Sequence, residues 1–347
     1  MRPGRRSRPV PRLAVAAVAA VFLAARPAAP ADPQHLLKIA CVAPQISSWT
    51  RALEAINAEV REQTGGAVGL RIYAGGQQGD DPVVLRKIGI GHLQGGAFTG
   101  PGLGAISRDI LALQMPFLFE NYDEVDYVLE RMDGYYRRDL EANGFALLGW
   151  TDIGFVHILS REPMRSVEDV RGRKVWRLED EPITQAIFRR AGVTSVPLFI
   201  PDVLQGLQTN MVDVVYAPPH AAIVLQWFTR ANCVTEVPIN YTLAALLVSR
   251  KAFDALDPAH QQILLAIARR HLRELTLQTR RDNQQAMQVM QDNGLELVSP
   301  TPEDVAAFRA LVTETVPELV GKAFSSESYG LVQQHLQDFR RHRPGEP

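Results

Sequence analysis

The stretch from Gly172 to Pro219 alternates short apolar runs with helical patterns, and this alternation constrains the fold more than any other part of the chain. The pattern predicts three strands and two intervening helices, at Lys174–Leu178, Glu181–Ala191, Ser195–Phe199, Val203–Thr209 and Val212–Ala217. Helices between apolar strands indicate a parallel sheet, in which ligands bind at the carboxyl ends of the strands. Trp176 and Tyr216 lie near such ends, and we expect both to contact a ligand.

Local signals fix the ends of the two helices. Pro182 falls in the first turn of its helix, where the missing N–H costs nothing, and Gly192 follows the last turn. Asp202 stands where the N-cap of the second helix is expected, and Pro218 and Pro219 end the third strand.

The first 31 residues predict an export signal rather than part of the fold. Five arginines precede the apolar stretch Leu13–Ala25, which is too short to span a bilayer, and Ala29-Pro30-Ala31 resembles a cleavage site. We expect a soluble protein exported to a bacterial periplasm. Arg5-Arg6 leaves open whether the general or the twin-arginine route is used.

The exported chain is acidic. The whole chain has a formal net charge of −1, and removing the six arginines of residues 1–31 leaves −7. An acidic protein is a poor partner for nucleic acid, so we expect none. Cys41 and Cys233 both lie in apolar runs, which favours buried free thiols, although an oxidising compartment also permits a disulfide.

The rest of the chain predicts an α/β protein. A strand at Leu36–Ala43 and a helix at Trp49–Thr64 open the fold, and strands at Ala146–Trp150 and Asp152–Ser160 precede the unit described above. A long amphipathic helix within 253–291 is expected to brace the fold from outside. The extended passage 232–247 before it is a candidate hinge.

Residue patterns for catalysis are missing. The chain contains no G-x-S-x-G, H-E-x-x-H, P-loop or dinucleotide-binding glycine motif, and no Cys/His metal pattern. His157 lies between apolar neighbours on a predicted strand, which favours a hydrogen-bonded core histidine over a catalytic base. We therefore expect a binding protein that is not an enzyme and needs no cofactor or metal.

Several motifs together resemble the substrate-binding proteins of tripartite ATP-independent periplasmic (TRAP) transporters, and the resemblance covers essentially the whole exported chain. In chain order the segments are KIACVAP, EQTGG, LRIYAGGQQG, LRKIGIGHLQGG, MPFLFENYDEV, VEDVRGRKVW, AGVTSVPLFIPDVLQGLQTNMVDVV and LVSRKAFDALDP. The resemblance implies two α/β lobes joined by crossing strands, which close on a solute and deliver it to membrane permease subunits. It implies lobe 1 at 36–150 plus about 240–275, and lobe 2 at 151–239 plus about 290–340.

The chain departs from the family at its ligand-clamping arginine. Most members carry that arginine in a G-L-K-I-R strand, where it pairs with the ligand carboxylate, and Trp176 stands in the matching position. Arg177 should point the other way, because side chains alternate along a strand. Asn210 replaces a glycine whose left-handed conformation asparagine can adopt, and Tyr216 replaces a polar ligand contact.

These departures give the ligand hypothesis. Two polar anchors are replaced by aromatic side chains, which favours a largely apolar ligand, lipid-like or aromatic. The same features resemble a branch whose transporters include a tetratricopeptide-repeat lipoprotein, a possible partner. Open alternatives are an organic acid bound through Arg177 or Lys174, a periplasmic enzyme, and a scaffold for the lipoprotein. The predicted ligand-binding residues lie mostly at strand-to-loop transitions: Trp49, Phe98, Thr99, Phe117, Phe155, Trp176, Tyr216, Pro219 and Tyr241.

Overall fold

A computed structural model describes residues 33–179 and 181–342. The predicted export signal, 1–31, lies outside the described residues. Among the helices that the structure describes, none combines the length and the apolar character needed to cross a bilayer.

The strands form two mixed sheets that share one long strand. They are β1 (His35–Cys41), β2 (Val68–Tyr73), β3 (Gly95–Phe98), β4 (Phe145–Ser160), β5 (Lys174–Arg177), β6 (Thr194–Pro197), β7 (Val214–Ala217), β8 (Cys233–Thr235), β9 (Asn240–Ser249) and β10 (Glu296–Val298). The first sheet has the order β2-β1-β3-β9-β4 and the second has the order β10-β8-β4-β7-β5-β6. In the second sheet β5 is parallel to both β6 and β7, as the sequence predicts.

The helices cover the faces of both sheets. They are α1 (Ser48–Gln63), α2 (Asp81–Gly89), α3 (Gly100–Ile106), α4 (Tyr122–Ala142), α5 (Val167–Val170), α6 (Pro182–Ala191), α7 (Val203–Gln208), α8 (Pro219–Val224), α9 (Arg250–Asp254), α10 (Pro258–Asp292), α11 (Pro302–Leu319) and α12 (Ser326–Arg341). Short 3₁₀ segments occupy Arg108–Gln114, Ile200–Asp202 and Trp227–Arg230. We call the first sheet with its packed helices the first lobe and the second sheet with its helices the second lobe.

Two antiparallel strands carry the chain between the lobes. β4 pairs with β9 from Phe145 to Val156 and with β7 and β8 at its far end. The β4–β9 register shifts at Leu147/Gly149 and again at Asp152/Gly154, which bends the strand locally. The sequence predicts two strands with a break near residue 151, and this is wrong because the chain continues through both irregularities as one strand.

The 35-residue helix α10 runs along both lobes. Leu264, Ile267 and Leu272 on its first half pack into the first-lobe core, whereas Met290 near its end packs into the second-lobe core. Asp257 caps its N-terminus by accepting from Ala259 N at 2.8 Å. The predicted bracing helix is therefore present, and it begins at Pro258.

The C-terminal helix α12 packs on α4, in the first lobe. Val332 and Leu336 of α12 join the core that contains Val128 and Met132 of α4, and Arg340 Nε donates to Glu124 at 2.8 Å. The range of about 290–340 predicted for lobe 2 therefore does not extend to α12. The other lobe boundaries stay predictions.

Local expectations in the second lobe are partly met. Gly192 ends α6 in the left-handed region at φ 70°, and Asn210 adopts φ 59°, both as predicted. Asp202 makes no side-chain cap to α7, because a 3₁₀ turn at 200–202 leads directly into that helix. After Pro219, α8 ends at Val224 and Trp227 lies in the following 3₁₀ turn.

Both cysteines are buried free thiols, in accord with the default expectation. Cys41 ends β1 in the first-lobe core, and Cys233 begins β8 in the second lobe.

Candidate functional site

A cleft with two compartments lies between the lobes. A polar compartment of about 580 Å³ lies between α2 and the loop before it on one side and residues 178–179 and 199–202 on the other. An apolar compartment of about 130 Å³ lies deeper, between the β1–α1 loop, α8 and α10. Val42, Thr99 and Ile200 line both compartments, so the two adjoin each other. A side-chain carbon placed on Gly76 would lie 3.8 Å from Pro201 Cγ, which shows how closely the lobes approach at the rim.

The polar compartment combines one arginine with several carboxylates. Arg86, exposed on α2, lines it together with Asp80, Glu179 and Asp202. Asp80 also caps α2 by accepting from Val83 N at 3.2 Å. The ring of Phe199 is 42% exposed and lines the same compartment, so an aromatic surface is available beside the charged groups.

A buried carboxylate lies under the floor of the cleft. Asp81 Oδ2 accepts from Thr99 N at 3.2 Å, from Thr99 Oγ1 at 3.0 Å and from Gly102 N at 3.1 Å. Burial nevertheless raises the pKa of Asp81 to about 6, because desolvation of the charged form outweighs the three hydrogen bonds. This side chain fixes the orientation of Thr99, which lines both compartments.

The N-terminus of α1 forms part of the wall of the apolar compartment. The wall includes Val42, Ala43 and Trp49 from the β1–α1 region and Val224 and Leu225 from the second lobe. Ser48 at the start of α1 and Thr279 on α10 also line it, and neither hydroxyl has a hydrogen-bond partner in the described residues.

His220 on α8 contributes an imidazole to the same wall. Its Nε2 lies 3.9 Å from Asp282 Oδ2, and its backbone N–H donates to Asn283 Oδ1 at 3.0 Å. Asn283 Nδ2 in turn donates to Ile153 O at 3.0 Å, so α8, α10 and β4 are tied together beside the cleft.

A buried ion pair lies at the crossing strands. Arg280 Nε donates to Asp152 Oδ2 at 2.6 Å, and the same guanidinium binds both oxygens of Asp126 at 2.8 and 2.5 Å. Tyr241 Oη donates to the other oxygen of Asp152 at 2.5 Å. Burial still raises the pKa of Asp152, although Arg280 opposes that shift. The pair joins α10 to β4 where the chain passes from one lobe to the other.

The structure places Trp49 and Thr99 on the cleft and puts several other predicted ligand residues elsewhere. Phe98 is fully buried in the first-lobe core and packs edge-on against Phe145 at 6.3 Å. Phe155 and Tyr241 pack on each other at 5.5 Å in the aromatic cluster around the buried ion pair. Their role in this structure is to support the crossing strands.

Trp176 and Tyr216 lie in the interior of the second lobe. Trp176 is only 3% exposed, packs on Tyr216 and Trp227 at 5.0 and 4.9 Å, and donates from Nε1 to Leu198 O at 2.9 Å. Tyr216 Oη donates to Glu181 Oε2 at 2.6 Å. Neither side chain lines the cleft in this structure, so the expectation that this pair faces the ligand is not met.

Of the remaining two predicted residues, only Pro219 adjoins the cleft. Phe117, at φ 55°, lines a separate apolar cavity of about 100 Å³ beneath α11. Pro219 is buried at the start of α8, directly before the cleft-lining His220.

The two predicted basic anchors are not among the residues that line the cleft. The Arg177 guanidinium donates to Leu178 O at 2.9 Å and to Glu179 O at 2.7 Å, while its Nε donates to Ser195 Oγ at 3.1 Å. Lys174 lies at the opposite end of β5, where its ammonium binds Asn210 O. Four cleft-lining residues were not predicted from the sequence: Arg86, Ser48, Thr279 and His220. The one available signal was Ser47/Ser48 as a helix start, because such a start also provides free N–H groups.

Comparison with known proteins identifies the family. Residues 39–322 match the family described as bacterial extracellular solute-binding protein, family 7 (DctP). The chain belongs to this family. It is 22% identical over 283 residues to the 2,3-diketo-L-gulonate-binding periplasmic protein of Escherichia coli, which covers 80% of this chain and 84% of that protein.

Solved structures share the fold of this family 7 protein. The sugar acid binding protein of Advenella mimigardefordensis, in complex with galactonate, aligns with a TM-score of 0.82 at 18% identity, covering 88% of this chain and 99% of that one. A TRAP periplasmic solute binding protein of Desulfovibrio salexigens, with bound orotic acid, aligns with a TM-score of 0.81 at 16% identity and the same coverage. The two-lobed TRAP solute-binding fold predicted from the sequence is confirmed.

The family places the chain among transport proteins rather than enzymes, and its members deliver small molecules to membrane permease subunits. His157 fits that assignment, because it is 9% exposed and its Nδ1 lies 2.8 Å from Thr235 O, as expected for a core histidine. Among the described residues, no group of three or more His, Cys, Asp or Glu side chains is arranged to hold a metal ion.

Proposed function

We propose that this protein binds a small polyhydroxy organic acid in the inter-lobe cleft, in the periplasm, and delivers it to a TRAP-type permease. The observation that carries the proposal is the composition of the polar compartment, which holds one arginine among four carboxylates beside an exposed aromatic ring. Sugar hydroxyls donate hydrogen bonds to carboxylates, whereas a second carboxylate on the ligand would be repelled by them. The compartment therefore favours sugar acids over dicarboxylates.

Known relatives support the same ligand class. Structures with a matching fold hold galacturonate, glucuronate, galactonate and erythronate, and another holds orotic acid. The volume of about 580 Å³ lies within the range of small-molecule sites. A monosaccharide acid and its bridging waters fit such a space.

An apolar ligand is the second candidate, supported by the wall of the deep compartment. Val42, Ala43, Trp49 and Leu225 contribute mostly apolar surface there. Its volume of about 130 Å³ equals roughly four water molecules, which is small for a lipid chain. A lipid-like ligand and a tetratricopeptide-repeat lipoprotein partner stay predictions from the sequence resemblance.

The test is a thermal-shift and calorimetry screen of the purified exported chain. The panel contains D-galactonate, D-glucuronate, D-erythronate and orotate, with succinate and decanoate as the contrasting classes. Ligand at 100 times its Kd stabilises the folded protein by about 2.7 kcal/mol, an increase in Tm of roughly 5 °C for a chain of this size. Stabilisation by decanoate alone would favour the apolar candidate, and stabilisation by succinate alone would contradict the polyhydroxy acid proposal. Lipid extraction of the purified protein followed by mass spectrometry checks for a co-purifying apolar molecule.

A further inference from the structure

The deep compartment contains a group of hydrogen-bond donors without acceptors. It lies at the N-terminus of α1, a helix of 16 residues whose N-cap, Ser47, uses its hydroxyl to accept from Thr50 N at 3.2 Å. The N–H groups of Ser48 and Trp49 have no acceptor among the described residues, as expected for the first turn of a helix. The helix dipole adds positive potential at the same point.

Two hydroxyls in the same compartment are also unpaired. Thr279 on α10 is only 3% exposed, and its Oγ1 has no hydrogen-bond partner in the described part of the chain. Ser48 Oγ is buried and unpaired in the same way. Buried hydroxyls are nearly always hydrogen-bonded in folded proteins, because leaving one unpaired destabilises the folded state. Two such hydroxyls line one cavity from different elements and are available to donate to a ligand there.

An anion in this compartment would be held by neutral donors, because neither basic side chain of β5 reaches it. Arg177 and Lys174 are engaged elsewhere, so no basic side chain from β5 reaches the cavity. His220 lines it and faces Asp282 at 3.9 Å. Asp81 lies behind Thr99 and, when ionised, opposes a second negative charge, because its three hydrogen bonds offset only part of that charge.

We infer that the carboxylate of the ligand binds at the N-terminus of α1, accepting hydrogen bonds from the Ser48 and Trp49 N–H groups and from the hydroxyls of Ser48 and Thr279. Helix N-termini bind anions without a basic side chain in other proteins. The deep compartment, at about 130 Å³, accommodates the carboxylate end, and the hydroxylated remainder extends past Thr99 into the polar compartment. This inference rests on the proposed function. Neutral hydrogen-bond donors take the carboxylate-binding role that the sequence resemblance gives to an arginine at the position of Trp176.

The experiment compares single variants by isothermal titration calorimetry with the tightest-binding of the four acids named above. Ser48→Ala and Thr279→Val are each expected to weaken binding about tenfold or more, because each removes a hydrogen bond to a charged group. Thr276→Val is the matched control, since it makes the same change one turn earlier on α10, where Thr276 donates to Thr151 Oγ1 instead. The control should bind as wild type does.

A second readout separates anion recognition from general packing. The primary amide of the same acid has nearly the same shape but no charge, so wild type should prefer the acid strongly. Ser48→Ala and Thr279→Val should reduce that preference, while Thr276→Val should keep it. Thr279→Val should also melt no lower than wild type, because it removes an unpaired hydroxyl at constant shape.

Two results would overturn the inference. Acid affinity within twofold of wild type in both variants would show that the carboxylate lies elsewhere, and a selective loss in Arg86→Ala would place it in the polar compartment. Failure of wild type to bind any of the four acids is a different result, and it would remove the proposed function together with this inference.

Discussion

Replacement of Trp176 by arginine introduces the residue that the sequence resemblance implies for most family members at this position, and the structure predicts that it damages the fold instead of creating a carboxylate site. Trp176 is buried against Tyr216 and Trp227, and its indole N–H satisfies Leu198 O. An arginine there would have to place its guanidinium in this apolar interior or displace the neighbouring rings.

The expected cost follows from two contributions. Truncating a buried tryptophan costs about 3–5 kcal/mol, and an arginine regains only part of that through its aliphatic stem. Removing a charge from water without a dedicated partner costs several kcal/mol more. We expect a loss of about 5 kcal/mol or more in the free energy of unfolding, which lowers Tm by roughly 10 °C at about 2 °C per kcal/mol. Such a loss is comparable to the whole stability of many domains.

The assay is thermal and urea unfolding of Trp176→Arg beside Trp176→Phe, followed by calorimetry with D-galactonate. Trp176→Phe keeps an aromatic ring against Tyr216 but loses the hydrogen bond to Leu198 O, so it should cost only about 1–3 kcal/mol. Trp176→Arg should show no gain in affinity at a temperature where it remains folded. A variant that melts within about 3 °C of wild type and binds the acid more tightly would refute the reasoning, because its side chain would have to face the cleft.

Three further predictions concern the cleft and the crossing strands. Folding raises the pKa of Asp81 from 3.8 to about 6, so the contribution of this group to stability is full below pH 3.8 and is lost as pH rises through about 6. The free energy of unfolding of wild type relative to Asp81→Asn should therefore increase by about 1.4 kcal/mol from pH 7.5 to pH 5. A difference that does not change with pH in urea unfolding would count against this. Arg280→Leu leaves the Asp152 carboxylate buried without its ion-pair partner and should lower the free energy of unfolding by about 3–5 kcal/mol in urea. The double variant with Asp152→Asn should recover part of that loss, because no unpaired charge is then buried. Equal stability of the single and double variants would argue that the pair is not coupled. Arg177→Ala should leave acid affinity within twofold of wild type by calorimetry, since its guanidinium is engaged by the backbone carbonyls of Leu178 and Glu179 and does not line the cleft. A tenfold loss would revive it as the ligand clamp.

Most of the fold could be predicted from local signals, since each of them acts within a few residues. Gly192 and Asn210 adopt the left-handed conformations that their positions require, and Pro182 lies in the first turn of α6 as expected. The continuity of β4 past residue 151 could not be predicted, because Gly154 at φ 125° makes a bulge that keeps the strand in one piece. A glycine between apolar runs looks the same in sequence whether it ends a strand or bends it.

The candidate site was predictable only in part. Strand alternation separates the faces of Trp176 and Arg177, but it does not say which face lies toward the other lobe, and the structure turns Trp176 into the core. Thr279 lies 231 positions after Ser48 in the chain, and both line one cavity. A residue set of this kind depends on the packing of α10 across both lobes, which no local pattern contains.

One turn of α10 has a consequence for how the length of this chain can vary. Thr279 lines the deep compartment, Arg280 binds Asp152, and Asn283 connects to β4 and α8. The 20 residues between Pro258 and Thr279 set its rotation, and each residue contributes about 100°. A single insertion or deletion there would turn all three side chains away from their partners at once, while most point substitutions on the exposed face would be harmless. The first half of α10 is therefore expected to tolerate changes in composition far better than any change in length.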